Sequence, residues 1–124
     1  MEKEARGDDI EARLVQFAVD VVKIADCLPR SFQGRHLALQ LLRSGTAGAA
    51  NYAEARAAES RPDFIHKLKI AVKELNETAV WLKIIRGSFA TEPTQLHRLS
   101  VENSELCRIL MASIKTARRN SGLG

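Results

Sequence analysis

The chain has 124 residues, 45% of them hydrophobic, and carries 19 Lys/Arg against 15 Asp/Glu for a net charge of +4. That length suits one domain, 1–124, able to bury roughly two-thirds of its unfolded surface. No apolar run approaches the ~18 residues of a membrane span, and the opening MEKEARGDD has charges of both signs where a secretory signal has an apolar stretch, so a cytoplasmic protein with no membrane association is expected.

Cys27 and Cys107 form neither a CxxC nor a CxxH pattern, so two reduced thiols in or near a helical core are expected. The charge is uneven. Residues 1–34 hold five Lys/Arg against seven Asp/Glu, whereas residues 35–124 hold fourteen against eight. A basic excess of that size suits a polyanion partner and equally suits a plain solvated surface.

Glycine, proline and polar clusters divide the chain into four segments, each with helical periodicity. In the first, over 9–28, Asp8 or Asp9 can cap, and Ile10, Leu14, Phe17, Val21, Ile24 and Leu28 alternate steps of four and three along one seam. Pro29 ends it, and SFQG reads as a short turn. The second, over 34–58, carries Leu37, Leu41 and Leu42 and then a run of small residues from Gly45 to Ala58. Two internal glycines each cost about 1 kcal/mol of helix propensity relative to alanine, which a helix accepts where a neighbouring backbone comes close.

Ser60-Arg61-Pro62-Asp63 is a helix start, with Ser60 at the N-cap, Pro62 in the first turn and Asp63 in the capping-box place. The third helix, 61–86, aligns Phe64, Leu68, Ala71, Leu75, Thr78, Leu82 and Ile85, with Gly87 as its end. Thr91 and Pro93 start the fourth, 92–118, which aligns Leu96, Leu99, Asn103, Leu106, Leu110, Ser113 and Ala117. From Lys115 the segment KTARRNSGLG loses its apolar stripe, and this basic tail is expected to be frayed and flexible beyond Arg119. No strand-like alternation competes. The expected fold is all-α: an antiparallel up-down-up-down four-helix bundle.

The third helix has more apolar surface than one bundle buries. Ile65, Val72 and Ala79 widen the core stripe on one flank and Ile70 and Trp81 on the other, while Val80 and Ile84 fall nearly opposite the core. A wide core with scattered exposed apolar residues accounts for part of this. Self-association through Ile70, Val80, Trp81 and Ile84 accounts for the rest.

No catalytic constellation accompanies the helices. His36, His66 and His97 never stand three residues after a glutamate, as a di-iron bundle requires. There is no nucleophile elbow, P-loop or GxGxxG, so neither an enzyme nor a cofactor is expected. Asn51 and Glu54 lie three apart on one helical face, and Asn76 and Glu77 stand among polar neighbours on the third helix. A structural polar network among them, or with Arg43, is the reading their spacing supports first. Lys69, Lys73 and Lys83 project from one outer face of the third helix, flanked by Lys67 and Arg86, as a candidate phosphate-binding stripe.

Between residues 40 and 82 the chain resembles the four-helix bundle proteins first noticed as reading frames inside intervening sequences of bacterial large-subunit ribosomal RNA genes. The resemblance rests on Gln40, Leu41, Arg43 and Ser44, on Ala50, Asn51, Ala53 and Glu54, on Asp63, Phe64, Ile65, Leu68, Ile70 and Ala71, and on Glu77 and Thr78. The chain departs from the pattern at Ala55, where a glycine is common, and at Lys73, Glu74 and Leu75, where Gly-Ser-Leu is common. The resemblance implies a homopentamer around a central channel. A related branch, the accessory variability proteins of diversity-generating retroelements, implies a basic pentamer that binds nucleic acid and a reverse transcriptase. The functional expectation is a non-catalytic homo-oligomeric adaptor that binds RNA or DNA through its basic face. The alternative is an oligomeric scaffold for a protein partner.

Overall fold

The computed structural model describes residues 2–89 and 93–120. Four helices follow one another: α1 (Glu2–Asp26), α2 (Phe32–Arg56), α3 (Arg61–Ser88) and α4 (Pro93–Asn120). No strand occurs among the described residues. Each helix packs on the next, and α1 meets α4 to close the ring, more sparsely than any other neighbouring pair. The α2–α3 pairing is antiparallel, because His36 meets Trp81, Ser44 meets Thr78 and Glu54 meets Lys67. The result is a four-helix bundle.

Its core follows the expected stripes. Ile10, Leu14, Phe17, Val21 and Ile24 of the α1 stripe are buried, as is Leu28 just beyond the helix, and in α3 Leu68, Ala71, Leu75, Thr78, Leu82 and Ile85 are no more than 1% exposed. Phe64 is only half-buried and packs on the edge of this core. On α4 the stripe gains Ile114, and Ser113 turns its hydroxyl back to the Ile109 carbonyl (3.2 Å). Two hydroxyls sit inside the α2–α3 seam, where Thr78 Oγ1 lies 2.9 Å from Ser44 Oγ and Ser44 Oγ donates to the Gln40 carbonyl. Such local bonds satisfy buried hydroxyls without another partner.

The helix ends differ from expectation, each for a local reason. α1 begins at Glu2 rather than residue 9, so Asp8 and Asp9 lie inside the helix rather than capping it. The segment EKEAR is built of strong helix formers that outweigh Gly7, and Asp8 pairs with Arg56 at 2.9 Å. SFQG is not a turn but the start of α2: Ser31 is the N-cap, and its Oγ accepts from the Gly34 N–H at 3.1 Å. At the start of α3, Ser60 caps the Asp63 N–H as expected (3.2 Å). α3 runs through Gly87 to Ser88, and α4 remains helical to Asn120, two residues past the expected end, with Ala117 buried as its stripe implied. Thr91 and residues 121–124 lie outside the described residues.

The small residues of α2 do admit close neighbours, from both sides. A Cβ on Gly45 would lie 2.8 and 2.9 Å from the two methyls of Val21 on α1, whereas one on Gly48 would meet Leu14 and Leu75 at an ordinary 3.5 Å. Gly34 is the tightest of the three. A Cβ there would sit 1.9 Å from the Pro29 carbonyl oxygen, so the α1–α2 connection folds directly over that backbone. Neither thiol lies in the core proper: Cys27 is exposed, and Cys107 is half-buried with its thiol pushed up by burial.

Candidate nucleic-acid interface

α3 packs against both α2 and α4, as extensively as α2 packs against its own two neighbours, and leaves one outward strip. Lys69 and Lys73 stand one turn apart on that strip, Lys83 follows about 15 Å further along the axis, and all three are exposed. None of the three has an acidic partner among the described residues. The strip is not purely basic. Val80 (52% exposed) and Ile84 (40%) lie between and beside the lysines, and Arg86 is exposed in the last turn, where a cation complements the helix dipole. Lys67 differs from the rest of the expected basic set. It leans toward α2 and holds Glu54 at 3.4 Å, so its charge is engaged within the protomer.

The expected Asn51–Glu54 pair does not form. Asn51 Nδ2 donates to the Ala47 carbonyl of its own helix (2.9 Å), while Glu54 turns outward to Lys67 with 58% of its side chain exposed. Spacing of three places two side chains on one face but leaves each free to choose a neighbour. An exposed pair of this kind contributes at most about 1 kcal/mol. Glu54→Ala is therefore expected to leave the midpoint of urea unfolding nearly unchanged, by less than about 1 kcal/mol. A larger loss would show that Glu54 is buried by an assembled neighbour.

The polar network lies instead about two to three turns nearer the start of α2, between Arg43 of α2 and two carboxylates of α3. Arg43 bonds Glu77 closely and approaches Glu74 at 3.7 Å. The Glu74 Oε2 atom is buried and makes no hydrogen bond, so this cation offsets its charge. Trp81 Nε1 donates to Glu77 Oε2 at 3.3 Å, and the His36 ring stands edge-on to Trp81 with centroids 6.2 Å apart. Trp81 is thus half-buried in the protomer's own seam and Ile70 is half-buried as well, leaving Val80 and Ile84 as the uncovered members of the expected interface set. Asn76 points the other way, toward α4, where Cys107 Sγ lies 3.6 Å from its Oδ1. Asp63 is half-buried beside the α3 cap.

Two further ion-pair groups tie α1 into the bundle. Arg13 meets both oxygens of Glu102 on α4 (2.6 and 3.1 Å), a bond that holds the guanidinium above its ordinary value. Arg56 bridges Asp8 and Glu11, with its guanidinium lying over Gly7. Periodicity overlooked several exposed apolar side chains, among them Val15, Val19 and Val22 on α1, Phe32 and Leu39 on α2, and Val101 and Met111 on α4. The valines at steps of four and three were legible as a second stripe on α1. Phe32 was hidden by reading its segment as a turn.

Among the described residues, no cluster of three or more His, Cys, Asp or Glu could hold a metal ion, and no helix is long and apolar enough to cross a membrane. The protein is a four-helix bundle with an ion-paired α2–α3 seam and a lysine strip on the outward side of α3. The chain belongs to the 23S rRNA-intervening sequence protein family, whose model matches residues 9–112. It is similar to a crystal structure of a protein with unknown function from the S23 ribosomal protein family of Bacteroides thetaiotaomicron. The two share 34% identity and a TM-score of 0.82, over 88% of this chain and 97% of that one. No curated protein matches the chain.

Proposed function

We propose that the protein is a non-catalytic homo-oligomeric adaptor, assembled as a pentamer, that binds RNA or DNA through the outer strip of α3. The observation that carries this reading is the set Lys69, Lys73 and Lys83, exposed on one helix face with no acidic partner among the described residues. The carboxylates of the same helix, Glu74 and Glu77, are turned toward Arg43 of α2 and pair with none of the three lysines. Arg86 extends the strip, and Lys67 contributes only when Glu54 releases it. Repetition of weak sites around a ring would raise affinity through avidity. The uncovered Val80 and Ile84 favour a second reading, in which the same face is an oligomer contact and the protein is a scaffold for a protein partner.

The test is a salt titration of single-stranded and duplex RNA and DNA against the wild type and the Lys69→Ala/Lys73→Ala/Lys83→Ala variant, with light scattering on both. The variant is expected to bind more weakly with a flatter salt dependence, by somewhat under one unit of slope for each lost contact, at unchanged mass. Equal binding by both proteins rejects the strip. No binding by the wild type at low salt moves the conclusion to the scaffold. A wild-type mass near 13.7 kDa rejects the assembly.

A further inference from the structure

We infer that the cleft where α2 begins and α3 ends receives an unstacked base of a single-stranded nucleic acid. This rests on the nucleic-acid reading above and adds to it a strand type and a stacking surface. The cleft has a volume of about 530 Å³ and is lined by Phe32, Gln33, His36, Leu37, Ser88 and Phe89, within the ~300–1,000 Å³ range of small-molecule sites. Phe32 is the first residue of α2 and 79% exposed, far more than a ring placed to fill a core. Its backbone is nevertheless fixed, because the Ser31 cap and the Pro29 carbonyl against Gly34 hold that turn in place. A π-face on a rigid element can stack a flat base with little ordering cost, and it does so for any base.

The other lining residues suit the same occupant. Phe89 faces the cleft from the end of α3 with its ring packed against the core. His36 is braced edge-on by Trp81. The Gln33 amide and the Ser88 hydroxyl form no hydrogen bond among the described residues, which leaves donors and acceptors for a base edge. Charge leads to the cleft. Arg35 stands three residues after Phe32 on the same helical face, and Lys83 and Arg86 lie in the last turns of α3, all exposed and without acidic partners among the described residues. From Lys69 to Ser88 the axis runs roughly 28 Å, so a strand crossing the lysine strip would reach the cleft at its end. A polar-edged aromatic cleft among unpaired cations favours a base on a phosphate chain over the surface of another copy, which would have to desolvate those charges. A duplex keeps its bases stacked and cannot present one.

The experiment compares a single-stranded 12-mer carrying one 2-aminopurine with its blunt duplex, against wild type and Phe32→Ala. It reads binding, the emission of 2-aminopurine and of Trp81 (the chain's single tryptophan), and mass by light scattering. The wild type is expected to prefer the single strand, quench 2-aminopurine and shift Trp81 emission through His36. Phe32→Ala is expected to lose about five- to a hundredfold in single-strand affinity, with duplex affinity, salt slope and mass unchanged. Equal single-strand affinity in both proteins overturns the cleft and leaves the lysine strip standing. A changed mass in Phe32→Ala overturns it in favour of a contact between copies. Failure of the wild type to bind either strand form overturns the nucleic-acid reading together with the cleft.

Discussion

Gly34→Ala is expected to lower the melting temperature by about 10 °C, as a loss near the upper end of the ~1–3 kcal/mol that overpacking costs. The added Cβ would stand 1.9 Å from the Pro29 carbonyl oxygen and 2.8 Å from its carbon, and both are backbone atoms. A flexible side chain could swing aside, whereas a peptide group must move with its neighbours. Pro29 is restricted by its own ring, and Leu28 before it is 4% exposed in the core. Shifting the connection would therefore unseat a buried leucine or break the Ser31 cap, worth about 1 kcal/mol by itself. Gly34 has no need of a left-handed backbone, so the demand is for space alone. Thermal unfolding by circular dichroism measures the effect. An unchanged midpoint would mean that residues 27–31 relax freely away from the helix.

The contrast between Gly34 and the rest of the chain marks what a single sequence can disclose. The stripes of α1 and α3 were legible because burial recurs every three or four residues, a property of each helix alone. Ser60 was legible for the same reason, since a cap is satisfied within four residues. Ser31 was not read, because Phe32 and Gly34 resemble a turn until Pro29 is known to fold over them. The candidate site divides along the same line. That Lys69, Lys73 and Lys83 share one face follows from helical geometry, and they are exposed together. That Lys67 leaves the set for Glu54, and that Arg43 takes Glu74 and Glu77, depends on how α2 is rotated against α3. No spacing within either helix records that rotation. The cleft at Phe32 and Phe89 joins two helix ends 57 residues apart in the chain, and it exists only once the bundle is closed.

Leu75→Ala is expected to cost about 3–5 kcal/mol, the upper part of the range for buried leucine truncation. Leu75 is fully buried at the point where three helices converge. Its side chain lies against Gly48 of α2, which also adjoins Leu14 of α1, and its carbonyl accepts from Asn103 Nδ2 of α4 at 2.9 Å. That bond restrains the α3 backbone, and Gly48 has no side chain to fill the space, so the cavity is expected to persist rather than collapse. Gly48→Ala provides the complementary change. Its methyl would enter at ordinary contact distance, 3.5 Å from Leu14 and Leu75, so alone it should stabilise by about 0.5–1 kcal/mol through helix propensity. In Leu75→Ala/Gly48→Ala that methyl also borders the new cavity, and the double variant should recover about 0.5–1 kcal/mol more than the single changes predict when added. Urea unfolding of the four proteins closes the cycle. Strict additivity would show that α2 has already moved into the space, making the α2–α3 seam adjustable where Arg43, Ser44 and Thr78 otherwise hold it in register.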